Sequence, residues 1–162
     1  MILDRQRSVR ISLPPLNSFL RRVRKALSLQ KLDATICFVS DAEIARMNEA
    51  FRRKKGPTDV LSFPSMEKRC PIRLRERPAV NKGDGTDTKR KAHRAPAGHL
   101  GDIAISPATA RRNAKRDGRA LQDELRILIL HGILHLLGYD HETDEGQMNR
   151  LEERLRRKFG LA

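Results

Sequence analysis

Apolar and polar positions recur with clear periods along most of the chain, and each period predicts an element. Val9 to Leu13 alternates Val, Ile and Leu with Arg and Ser, the two-residue period of a strand, and Pro14-Pro15 closes it. From Leu16 to Leu29, Leu16, Phe19, Leu20, Val23 and Leu27 fall at three- and four-residue steps. That spacing predicts an amphipathic helix with its arginines and lysine in water. Ala34 to Val39 is a compact, partly β-branched run and a second strand, and Ser40-Asp41-Ala42-Glu43 has the form of a capping box for a helix reaching about Phe51. A Gly56-Pro57 turn leads into a third strand, Val60 to Phe63, left at Pro64, and Leu100 to Ile105 is the fourth. Ser106-Pro107 supplies an N-cap and first-turn proline for a helix ending near Asp117-Gly118. Leu121 to Leu137 is the longest apolar helix, ended by Gly138, and Thr143 to Phe159 carries Met148, Leu151, Leu155 and Phe159 on one stripe. That last helix reads as a cover for the core.

These elements predict an α/β (α+β) fold, a small mixed sheet of about four strands packed with about five helices. The 162 residues fit one domain, 1–162. One stretch breaks the pattern. Lys68 to Arg94 holds 10 Lys and Arg against 3 Asp and Glu, with Pro, Gly and Thr and no sustained period. It predicts a flexible basic insertion at about 68–97, either a solvated linker or an arm that touches nucleic acid.

Charge changes the picture more than size does. With 34 Lys and Arg against 20 Asp and Glu, the net charge is +14 and a polyanion partner is expected, nucleic acid foremost. Aromatic residues make up 4% of the chain, with one Tyr and no Trp, so base-stacking platforms are scarce and phosphate contacts are expected to dominate. No apolar run is long enough to span a bilayer, and Met1 to Arg10 has no apolar core of a secretory signal, which predicts a soluble cytoplasmic protein without membrane contact. Cys37 and Cys70 form no C-x-x-C pair and no disulfide framework, and Cys37 reads as core.

Candidate chemistry gathers in His131-Gly132-Ile133-Leu134-His135-Leu136-Leu137-Gly138-Tyr139-Asp140-His141. On a helix, His131 and His135 lie one turn apart on one face, and a chain reversal at Gly138 lets His141 swing back towards them. Three imidazoles leave a fourth metal position open, the arrangement of a catalytic zinc, although nickel, copper and iron also accept such ligands. The spacing H-x-x-x-H-x-x-G-x-x-H is shared with metzincin proteases. Where those enzymes carry the glutamate that acts as general base, this chain has Gly132. Asp140, Glu142 and Glu124, the last sharing a helical face with His131, are nearby carboxylates able to orient a ligand or a water.

The run HGILHLLGYDH from His131 to His141, with GPTDVLSFP from Gly56 to Pro64 and LGDIAIS from Leu100 to Ser106, closely resembles the YbeY family of bacterial rRNA maturation endoribonucleases, over about Asp33 to Leu155. The resemblance implies a single-strand-directed metallo-endoribonuclease with one zinc ion per chain, a partner in ribosomal RNA and ribosomal or pre-ribosomal particles, and a part in small-subunit RNA 3′-end maturation and ribosome quality control. It implies zinc on His131, His135 and His141, and a functional arginine at Arg52, in Met47-Asn48-Glu49-Ala50-Phe51-Arg52. Arg52, as a planar guanidinium, suits phosphate. The chain departs from the family at Lys55, where members often carry an acid, and in the length of the basic stretch between Pro64 and Leu100. Two other readings stand beside this one: a metal-dependent peptidase, and an RNA-binding ribosome assembly factor whose metal is structural.

Overall fold

Strand β2 (Leu32–Phe38) sets the two faces of the sheet, because its alternation buries Leu32, Ala34, Ile36 and Phe38 on one side and turns Asp33, Thr35 and Cys37 to the other. In a computed structural model that describes residues 1–65, 98–140 and 144–161, β1 (Ile2–Asp4) precedes it, and α1 (Leu13–Ala26) lies between the two. There follow α2 (Asp41–Arg52), β3 (Val60–Pro64), β4 (Gly98–Ile105), α3 (Pro107–Arg116), α4 (Leu121–Leu136) and α5 (Gln147–Phe159). Among the described residues the strands form one sheet in the order β1-β2-β4-β3, with β1 and β4 parallel to β2 and β3 antiparallel to β4. Among the described residues the architecture is the mixed four-stranded sheet with five helices expected from the sequence, although one of the four strands is a different segment. The basic insertion expected at 68–97 lies wholly outside the described residues.

The main core lies on one face, where α1, α4 and α5 pack their apolar stripes on Ile36, Phe38, Ile103 and Ile105. A smaller cluster of Val39, Ile44, Leu61 and Ala104, with Cys37, Met47 and Phe63 at its margin, joins α2 to the opposite face. Cys37 is half-buried there, and burial pushes its thiol pKa up.

The expected first strand at Val9 to Leu13 is not formed. The Gln6 side chain donates to the Val9 carbonyl at 2.8 Å and accepts from the Val9 N–H at 2.9 Å, satisfying the groups a sheet neighbour would have taken. Pro14 and Pro15 open α1 rather than close a strand, since a first helical turn needs no N–H from them. The edge strand is instead Ile2–Asp4, too short to show a period. The final helix starts at Gln147 rather than Thr143, because the Asp144 carboxylate caps the N–H groups of Gly146 at 2.8 Å and Met148 at 2.9 Å. Ser40 caps α2 by accepting from Glu43 N–H at 3.2 Å, and Ser106 caps α3 by accepting from Thr109 N–H at 3.2 Å.

Two local devices hold the sheet to its helices. Opposite Asp33 and Ala34, β4 carries a bulge in which His99 and Gly101 pair and Leu100 does not. Gly101 has φ +142°, and a Cβ there would stand 2.2 Å from the Phe63 carbonyl oxygen and 2.9 Å from Leu136 Cδ2. At the other end, Asp41 accepts from Ser106 Oγ, from Thr109 Oγ1 at 2.8 Å and from Arg112 at 2.8 Å, tying the start of α2 to the start of α3. Burial pushes the Asp41 pKa up, but these donors outweigh it and hold the carboxyl below its usual range.

Gly101→Ala is expected to lower unfolding stability by at least about 2 kcal/mol in urea titrations, because both its φ and its space exclude a methyl. For Asp41 the folded pKa is depressed, so its stabilisation is complete above the ordinary value of about 3.9 and is lost as pH falls through the folded value. Asp41→Asn should cost about 1–3 kcal/mol at neutral pH and flatten the acid limb of the stability-versus-pH curve.

Candidate active site

The sequence between Leu121 and Leu136 makes a helix apolar almost all round, and it is buried almost all round. His131 and His135 are only partly buried, one turn apart near its C-terminal end. Their Nε2 atoms face each other at 3.0 Å, with ring centroids 4.6 Å apart and planes at 76°. Two nitrogens at about 2.0–2.1 Å from a tetrahedral zinc would stand roughly 3.3 Å apart, so the pair needs only a slight opening to hold such an ion. Gly138 ends the helix with φ +89°, as its position predicts. His141 and Glu142 lie outside the described residues, and within those residues no group of three ligating side chains gathers.

Sequence reasoning missed the residue that orients His131. Glu152 sits in the buried stripe of α5 with Met148, Leu151 and Leu155. Its Oε2 lies 3.0 Å from His131 Nδ1, and its Oε1 accepts from Arg156 Nε at 3.0 Å and from the Arg156 terminal nitrogen. Burial pushes the Glu152 pKa up, but His131 and Arg156 outweigh it and keep the carboxyl below its usual range. An ionised carboxylate only accepts, so the contact orients the ring with Nδ1 towards Glu152 and Nε2 towards His135, where it is placed to serve as a ligand. A glutamate at a core position of an amphipathic helix, four residues after Met148, was the available signal.

Glu124 has the opposite character. It is buried and takes an ion pair from Arg119 at 2.8 Å, and it does not line the cleft described below. Burial, with help from Asp117 and Asp59, raises its pKa despite Arg119. The shared helical face suggested from the sequence does not bring it to His131, since seven residues of helix separate the two by about 10 Å along the axis.

The histidines open on a cleft of about 640 Å³ that runs over edge strand β3, with Phe51, Arg52 and Lys54 on one side and His131, His135, Tyr139 and Asp140 on the other. Arg52 ends α2, and the exposed basic turn after it is held by the buried Asn48, which donates to the Gly56 carbonyl at 3.0 Å. Arg53 closes the helix in a left-handed conformation, φ 55°. Asp59 fixes the strand entry by accepting from Val60 N–H at 2.8 Å and from Asn113 at 3.1 Å. Ser62 reaches from β3 towards the Gly132 carbonyl at 3.4 Å. Gly132 itself is jammed against the sheet: a Cβ there would stand 2.9 Å from both Cδ1 and Cγ2 of Ile103. A side chain at the position where a metzincin keeps its general base would therefore have to displace Ile103.

Glu152→Gln should leave the fold intact and weaken zinc binding by about 10–100-fold, measured by competition with a chromophoric chelator. Equal affinity in that titration would mean that the carboxylate does not govern the ring.

A family profile described as Endoribonuclease YbeY matches residues 2–160. A protein of that name from Solibacter usitatus is 39% identical over 148 residues, covering 91% of this chain and 80% of the relative. Another from Koribacter versatilis is 37% identical over 161 residues, covering 99% and 86%. The solution structure of TM1509 from Thermotoga maritima superposes with a TM-score of 0.58 at 25% identity, covering 95% of this chain and 85% of that one.

Proposed function

The chain belongs to the YbeY family of endoribonucleases, and from that premise we propose that it is a zinc-dependent endoribonuclease that cuts single-stranded ribosomal RNA. In this reading it matures the 3′ end of the small-subunit RNA and serves ribosome quality control, working in the cytoplasm on ribosomal or pre-ribosomal particles. Among the described residues no helix is long and apolar enough to cross a membrane.

The observation that carries the reading is the facing pair His131 and His135 in a cleft that Arg52 and Lys54 also line. His131, His135 and His141 would hold one zinc ion, with Glu152 fixing the His131 ring. Bound there, a zinc ion supplies Lewis acidity towards a phosphoryl oxygen. Arg52 offers a planar fork to the same phosphate and neutralises charge that grows as the P–O bond breaks. Lys54 adds a point charge on the same side of the cleft. The Asp140 carboxylate, at the far wall, is the described acid nearest in sequence to His141 and is suited to orient a water or a ring. A peptidase reading loses its base at Gly132.

The test is cleavage of a single-stranded ribosomal RNA fragment by purified protein. Chelator or His135→Ala should reduce cleavage to background, with zinc restoring the chelated wild type. Arg52→Ala should lower kcat/KM by about 10–100-fold, the worth of a charge-assisted hydrogen bond. Folded, metal-loaded wild type that binds the RNA without cutting it would instead support an assembly factor with a structural metal.

A further inference from the structure

Aromatic residues are few in this chain, and their distribution is uneven. Of five Phe and one Tyr, Phe51, Phe63 and Tyr139 line the cleft, while Phe19, Phe38 and Phe159 belong to the core. Phe51 is 69% exposed, and the other exposed large apolar side chains among the described residues are Met1 and Leu3, at the opposite edge of the sheet. Its exposure is not looseness. The ring packs edge-to-face on Phe63 with centroids 5.0 Å apart and planes at 71°, on a helix end pinned by the Asn48–Gly56 hydrogen bond. Exposed cations Arg52, Arg53, Lys54 and Lys55 follow it directly.

We propose that Phe51 is the platform on which an unpaired base of the RNA stacks, beside cations that hold the adjoining phosphates. The inference rests on the ribonuclease reading above and deepens it, giving the cleft a means to choose single strands. A duplex presents phosphates to Arg52 and Lys54 as readily as a single strand does, but its bases are stacked on one another and offer no face to Phe51. A single strand offers both. A protein partner would have to strip water from four neighbouring cations to cover one ring, which favours a ligand that brings its own negative charge.

The chain has no Trp, so Phe51→Trp places a single tryptophan at the site, excited separately from Tyr139 at the red edge of its absorption. The probe is a 2′-O-methyl oligonucleotide of mixed sequence, single-stranded, annealed to its complement, or with abasic sugars throughout. The single strand should quench Phe51→Trp emission and the duplex should not. Phe51→Ala and Phe51→Leu should both bind the single strand about five- to a hundredfold more weakly than wild type, with the slope of log K against log salt unchanged. Lys54→Ala should lower that slope by about 1. On the abasic strand, wild type and Phe51→Ala should bind alike. Wild-type affinity in Phe51→Ala, or full rescue by Phe51→Leu, would overturn the proposal, the latter marking a plain apolar contact of the kind a protein partner makes. Wild type that neither binds nor cuts single-stranded RNA would overturn the ribonuclease reading first, and this inference with it.

Discussion

Helix α4 approaches the sheet so closely at Gly132 that the space beyond its Cα is taken by Ile103 and Ser62. Several features follow from that contact. With about 100° of rotation per residue, a helix whose residue 132 faces the sheet turns residues 131 and 135 to one flank of that face, roughly 40° apart. The flank in question looks towards β3, the edge strand, so the imidazoles emerge where the sheet ends rather than beneath it. Gly101 extends the approach by letting the end of α4, at Leu136, meet β4 beside the Phe63 carbonyl. Glycines in two motifs that carry no chemistry of their own thus set where the two histidines stand.

Two buried acids show how the same desolvation yields different outcomes. Glu124 and Glu152 are both almost removed from solvent, and burial pushes both pKa values up. Glu152 meets His131 and Arg156 on its two oxygens and ends below its usual range. Glu124 meets Arg119 but also feels Asp117 and Asp59, and ends above it. The depressed acid can act as a fixed acceptor for a histidine near neutrality, whereas the raised one belongs to a structural node under α3 and α4. Neighbouring charge, not depth, separates a histidine-orienting carboxylate from a packing one.

Elements with several turns or a full alternation were legible from the sequence. The buried positions of α1, of β2 and of α4 follow their periods, and the caps at Ser40 and Ser106 bind the N–H groups their spacing predicts. Failures arose where a single side chain replaced a lattice of backbone bonds. Gln6 satisfied Val9 and dissolved an apparent strand, and Asp144 delayed α5 by a turn. At the site, the motif revealed His131 and His135 because they share one helix, and it could not reveal Glu152, which comes from another helix 21 residues on. Periodicity reports which face is buried; it does not report what two buried faces exchange.

Charge and shape divide the work of recognition in this protein. A net charge of +14 attracts any nucleic acid, and charge by itself does not distinguish a single strand from a duplex. Composition pointed towards phosphate contact because aromatic residues are scarce. Scarcity over the whole chain, however, says nothing about placement, and half of the six aromatic side chains line the cleft that the histidines share. An exposed ring fixed on a helix end beside cations adds what the cations lack, a surface that an unstacked base can cover and a base stacked within a duplex cannot. Discrimination then comes from a few well-positioned apolar atoms, while the many charges govern affinity and its dependence on salt.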